Sequence, residues 1–149
     1  MNIGGIKMIN ISKKPATLRE ALAQAHIRLK PRTLDLIQEK KIPKGDILTV
    51  AQCAGILAAK KVDELIPLCH PLPLEHVGIS FKLEDDGIII LARCKTRSKT
   101  GVEMEAMAAC SIAALTIYDM CKSIDRGAVI EEIKLMEKRG GKSGYYKRK

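Results

Sequence analysis

Aromatic side chains are nearly missing from this chain of 149 residues: it has no Trp, one Phe and three Tyr. So little ring surface argues against a protein that works by stacking successive nucleic-acid bases. Cysteine occurs five times, at Cys53, Cys69, Cys94, Cys110 and Cys121, an odd number with no CxxC spacing. That pattern fits neither a disulfide scaffold nor a thiolate zinc site, and reduced thiols in the cytoplasm are the better reading. Long apolar runs are lacking too. The longest, between Glu105 and Asp119, is thirteen residues and includes Ser111 and Thr116. A helical membrane span needs about 20 apolar residues, so this run predicts a buried core helix. The opening MNIGGIKMINISKK has neither a long apolar stretch nor a cleavage pattern, so no signal peptide is expected, and Met8 is an alternative start. Acids are absent after Glu137, whereas Lys138, Arg139, Lys142, Lys147, Arg148 and Lys149 follow it. Six of the nine units of net positive charge therefore lie in the last twelve residues.

What is present is a chain with 46% hydrophobic and 29% charged residues, enough aliphatic material for one folded domain. No repeat or linker divides it, so a single domain over 1–149 is expected, with a short extension at 1–7 and a basic tail at 145–149. Thr17-Leu18-Arg19-Glu20 has the form of a capping box and predicts a helix to about Leu29. Pro31 punctuates it, and a short helix through Leu34–Lys40 follows. After the turn Pro43-Lys44-Gly45-Asp46, the recurrence of Ala51, Ala54, Leu57 and Ala58 predicts a helix over Ile47–Ile66. Leu68-Cys69-His70-Pro71-Leu72-Pro73 is expected as an extended loop, because its prolines remove donors and bias their predecessors away from helix. From Val77 the period becomes two, Asp85-Asp86-Gly87 turns the chain, and Ile88–Lys95 returns, which is a hairpin. A helix from about Val102 to Ser123 comes next. Val129, Ile133 and Leu135 share one period-2 face, which favours a strand over Ala128–Lys138. The whole predicts an α+β domain with helices on one face of an antiparallel sheet.

Three places stand out chemically. Cys69-His70 sits in the proline loop. His70 has a plain reading, a loop imidazole bonded to a backbone carbonyl, and a metal reading with His76 and Glu75. The second is disfavoured, because adjacent Cys and His do not readily chelate one ion and no further Cys/His cluster exists. Lys99–Glu105 leads into the apolar helix. Glu103 there fits ordinary dipole complementation, while Glu105 is harder to explain so close to an apolar run. Arg93, Lys95, Arg97 and Lys99 alternate before it, either as a solvated face or as a phosphate site. At the far end of the same helix, Asp119 and Lys122 share a face. Glu105 and Asp119 are fourteen residues apart, hence roughly 21 Å along one helix. If both are catalytic, opposite helix ends of two chains must meet. Arg139-Gly140-Gly141-Lys142-Ser143-Gly144 is not a P-loop, because Met136 stands where the first glycine is required, although such a segment can still bind phosphate. A nucleic-acid module is the competing class, motivated by Tyr145-Tyr146-Lys147-Arg148-Lys149, but no helix-turn-helix, RRM or zinc-finger pattern accompanies that tail.

LIPLCHPL (Leu65–Leu72), KTGVEMEA (Lys99–Ala106), ALTIYDMCK (Ala114–Lys122) and GGKSG (Gly140–Gly144) closely resemble the motifs of the cyclic pyranopterin monophosphate synthase family of molybdenum cofactor biosynthesis. The resemblance runs from about Met8 to Gly144. It implies a ferredoxin-like fold and a homohexamer, a trimer of dimers with sites at dimer interfaces. The implied reaction is that of a lyase, converting a 3′,8-cyclised 7,8-dihydro-GTP made by a radical SAM partner into a tricyclic pyranopterin with a cyclic phosphate and free pyrophosphate. No cofactor is implied, with Mg²⁺ alongside the triphosphate left open. Asp119 matches the catalytic aspartate and Lys122 its partner lysine. Lys44 and Lys138 match site lysines that either hold triphosphate or move a proton. Leu68, Cys69, His70, Met104 and Glu105 match substrate-binding segments, with Glu103 beside them and Lys142 adding a phosphate contact. The chain departs from the family in three places. Asn10 stands where an acid is usual, Arg97-Ser98 where Thr-Gly is common, and Arg139 where Ser is common.

Overall fold

The computed structural model describes residues 4–149, so the choice of Met1 as a start and the first part of the 1–7 extension lie outside the described residues. Five strands form one antiparallel sheet: β1 (Thr17–Arg28), β2 (Leu74–Glu84), β3 (Gly87–Ser98), β4 (Val129–Arg139) and β5 (Tyr146–Lys147). Their order across the sheet is β2-β3-β1-β4-β5. Four helices accompany them: α1 (Pro31–Gln38), α2 (Ile47–Ala59), α3 (Val62–Leu65) and α4 (Glu103–Cys121). Without the short α1, α3 and β5, the order is βαββαβ with β1 and β3 central, which is the ferredoxin-like arrangement. The hairpin expected after Val77 is β2–β3, closed by Asp85-Asp86 with Glu84 opposite Gly87.

The segment expected as a helix over Thr17–Leu29 is instead the central strand β1. It is paired along its whole length with β3, from Thr17 opposite Ser98 to Arg28 opposite Gly87, and on its other edge with β4. Ala21, Ala23, Ala25 and Ile27 are buried at every second position, a period-2 face hidden by residues with good helix propensity. Small side chains are needed there because α4 lies across them and presents Ala106, Ala109 and Ala113, all fully buried. Two alanine faces let helix and sheet approach closely, and tertiary packing overrides local preference. Glu20, which would have completed the capping box, is paired with Arg93 of the neighbouring strand.

The short helix expected over Leu34–Lys40 is α1, which begins at Pro31 and ends at Gln38. The helix expected over Ile47–Ile66 ends at Ala59, and Val62–Leu65 forms a separate single turn. Asp46 starts α2, its carboxylate accepting from Thr49 N at 3.4 Å and Thr49 Oγ1 at 2.9 Å. The strand after Ala128 is present, but Val129 and Ile133 are exposed and do not share a buried face with Leu135. The register between β1 and β4 shifts near Glu132, which adopts a left-handed φ of 59°, and the resulting bulge turns Ile130 and Leu135 to the core. At the end of α4, buried Asp125 accepts from Lys30 N and Thr33 Oγ1, both at 2.8 Å, and so anchors the start of α1. The last residues are not a free tail. Tyr146-Lys147 pairs with Glu137-Lys138, and Arg148 Nε donates to the Leu135 carbonyl at 2.8 Å.

Candidate active site

The residues singled out in the sequence fall into two groups at opposite ends of α4. At its N-terminal end, the proline loop runs extended beneath the helix, held where Thr96 Oγ1 donates to the Pro73 carbonyl at 2.7 Å. Leu68, Cys69 and His70 from this loop and Glu103, Met104 and Glu105 from the first turn of α4 line one cavity of about 240 Å³. His70 Nε2 lies 2.7 Å from the carbonyl oxygen of Ile9, the backbone partner that the plain reading of a loop histidine required.

Glu105 is the unusual group here, only 4% exposed. Burial pushes its carboxyl up to about 7, with Glu103 and Asp63 adding repulsion. Its neighbour Cys69 is also raised, by burial first and by Glu105 second, so this thiol is not a ready nucleophile.

Lys138 reaches the same end of α4 from β4. Its ammonium sits 3.7 Å from Glu103 Oε1 and is hydrogen-bonded to the Ser143 hydroxyl. Beside it opens a second cavity of about 530 Å³, lined by Lys14, Thr17, Arg19, Gly141, Lys142 and Ser143. Gly140 and Gly141 have φ of 91° and 80°, so glycine suits both positions. A side chain at Gly141 would also collide with the Arg19 guanidinium. That guanidinium is aimed by the carbonyls of Ser98, 3.2 Å from Nε, and Lys99, 3.3 Å from Nη2. The Thr17 hydroxyl is buried here with no hydrogen-bond partner among the described residues. Among the described residues no carboxylate lines this cavity, so three cations, a spare hydroxyl and a glycine-rich backbone make it suited to a polyanion.

The second group lies at the C-terminal end of α4. Asp119 Oδ1 is 3.0 Å from Lys122 Nζ, and Oδ2 is 3.2 Å from Lys44 Nζ, which also donates to the Asp119 carbonyl at 3.1 Å. Lys44 is delivered by the loop before α2. The hydrogen bond from Lys122, then that from Lys44, holds the Asp119 carboxyl below its ordinary value. Neither Asp119 nor Lys122 is buried in the single chain.

One chain therefore assembles Leu68, Cys69, His70, Glu103, Met104, Glu105 and Lys138, with Lys142 in the adjoining cavity. It separately assembles Lys44, Asp119 and Lys122. The two groups are held apart by the length of α4, roughly 21 Å between Glu105 and Asp119. Ile9, Lys14, Thr17 and Arg19 were not singled out in the sequence. Thr17 and Arg19 share the inward parity of Ala21, Ala23 and Ala25, so a strand assignment would have put them on the helix-covered face at its polar end. Among the described residues, no group of three His, Cys, Asp or Glu is disposed to hold a metal ion. Compared with models of known protein families, residues 8–141 match that of the MoaC family.

Proposed function

This chain belongs to the MoaC family, that of the cyclic pyranopterin monophosphate synthases and so of molybdenum cofactor biosynthesis enzymes, and from that premise we propose that it is a lyase forming cyclic pyranopterin monophosphate. Its substrate in this reading is the 3′,8-cyclised 7,8-dihydro-GTP that a radical SAM cyclase supplies, and the second product is pyrophosphate. A hydroxyl oxygen of the sugar-derived portion bonds to the α-phosphorus while the bond to the α,β-bridging oxygen breaks. The ring rearrangement needs protons taken up and released but no net oxidation, so no electron-carrying cofactor is required.

The observation that carries this reading is the division of labour between the two ends of α4. One end offers a small cavity with a buried carboxyl, next to a larger cationic one without acids. That pair suits a ring system attached to a triphosphate. Lys138 and Lys142, joined by Lys14 and Arg19, would offset the charge that grows on the departing pyrophosphate. The other end offers a carboxylate between two ammonium groups. An aspartate kept ionised is a base rather than an acid, so Asp119 accepts protons and Lys122 returns them, with Lys44 orienting the carboxylate or the triphosphate.

The two ends meet in this proposal across an interface between chains, within a homohexamer built as a trimer of dimers in the cytoplasm. Incubating the purified protein with the cyclised dihydro-GTP tests the reaction: pyrophosphate and the pyranopterin should appear together, and the absence of both would overturn it. Asp119→Asn should retain the wild-type melting behaviour and assembly state while losing turnover, because Asp119 is exposed at the chain surface. Undiminished turnover would remove it from the mechanism.

A further inference from the structure

Residues 9–14 cross the mouth of the smaller cavity without forming a helix or strand, yet they are fixed at several points. Asn10 Oδ1 accepts from Ser12 N at 2.9 Å and from Ser12 Oγ at 2.7 Å, a side-chain turn of the Asx type. Lys14 N donates to the Ile11 carbonyl at 3.0 Å, and Lys99 Nζ donates to the Ser12 carbonyl at 3.2 Å. The Ile9 carbonyl then lies 2.7 Å from His70 Nε2. Ile9 and Ile11 line the cavity, and Lys14 lines both cavities.

A carbonyl oxygen only accepts, so the ring nitrogen facing it must carry the hydrogen. In a neutral imidazole the other nitrogen is then an acceptor with a free lone pair. His70 lines the cavity, and its Nδ1 has no hydrogen-bond partner among the described residues. We infer that residues 9–14 are a positioning strap: its Ile9 carbonyl holds His70 as the Nε2–H tautomer, so that Nδ1 receives an N–H or O–H donor of the ligand. With the ring neutral, a deprotonated phosphate oxygen cannot satisfy that lone pair, so in this state His70 takes the ring or sugar portion of the ligand, and the phosphates belong to the cationic cavity. Asn10 is the positioning residue, since its carboxamide oxygen shapes the turn. An aspartate at that position would accept the same two hydrogen bonds, so Asn10→Asp keeps the turn. The assignment of ligand portions rests on the lyase reading; the tautomer does not.

The test is imidazole ¹⁵N spectroscopy of the full chain at alkaline pH, with His70 identified against His26 and His76 by its loss in His70→Asn. Wild type and Asn10→Asp should show His70 as the single Nε2–H tautomer. Asn10→Ala should show a tautomer mixture with the melting temperature unchanged. With the cyclised substrate, Asn10→Ala should raise KM several-fold, and Asn10→Asp should restore it. A mixed or Nδ1–H tautomer in wild type, or an unaltered tautomer in Asn10→Ala, would overturn the inference. Because the spectra are taken on free protein, failure of the lyase assay would leave the tautomer result intact.

Discussion

Among individual residues, the two carboxyl groups of α4 show how position decides chemistry. Asp119 is exposed and doubly paired with lysines, and its carboxyl is held low. Glu105 is buried and makes no ion pair among the described residues, and burial raises it to about 7. The linkage for Glu105 has a definite sign. Its carboxyl is raised in the folded chain, so its contribution to stability is fully present below the ordinary value of 4.5 and is lost as pH rises through about 7. At ~1.4 kcal/mol per unit, the upper bound of that loss is roughly 3 kcal/mol. Glu105→Gln removes the ionisation, so denaturant unfolding should show the variant gaining on wild type between pH 4.5 and about 7. Parallel pH profiles would contradict the burial assigned to this carboxyl. At this scale the sequence was informative where chemistry is out of place. Glu105 stood beside an apolar run and Asp119 beside Lys122 at its far end. Thr17 and Arg19 were silent because their significance depends on which face of a strand they occupy, and Ile9 because it acts through its carbonyl.

At the level of elements, the hairpin and α4 were legible because each has one periodicity throughout. β1 was not. TLREALAQAHIR carries residues that favour helix, and its alternation is written in alanine, whose burial is a consequence of the helix lying on it. The bulge at Glu132 was equally invisible, since a left-handed residue that is not glycine leaves no compositional mark. Close packing of small residues also governs α2 on α4. A Cβ placed on Gly55 would approach the Ala109 carbonyl oxygen to 2.8 Å and collide with the Ile79 side chain. Gly55→Ala gains ~1 kcal/mol in helix propensity. Forcing the two helices apart costs about 1–3 kcal/mol. A net loss of stability is expected in chemical denaturation. A stabilised variant would show that α2 is free to move away from α4.

Across the whole molecule, the net charge of +9 divides into parts with different uses. Arg148 and Lys147 of the terminal segment are engaged with β4, and the Arg139 guanidinium lies 4.7 Å above the Tyr145 ring. Lys14, Arg19, Lys138 and Lys142 converge on one end of α4, and Lys44 and Lys122 on the other. Convergence of this kind depends on distant pairing, β1 with β4 and the α2 loop with the end of α4, and so only motif resemblance could foreshadow it. Val50 and Leu57 of α2 and Met104 and Leu115 of α4 are exposed, apolar surface in keeping with the proposed assembly. The central claim is that neither end of α4 is an active site alone, and that each active site takes one end from each of two chains. Co-expression of Asp119→Asn with Lys138→Ala, each inactive by itself, tests it most directly. Mixed assemblies, isolated by two affinity tags and assayed for pyrophosphate release, should recover part of the wild-type turnover, because some interfaces then combine an intact Asp119 end with an intact Lys138 end. Mixed assemblies no more active than either parent would contradict a site shared between chains.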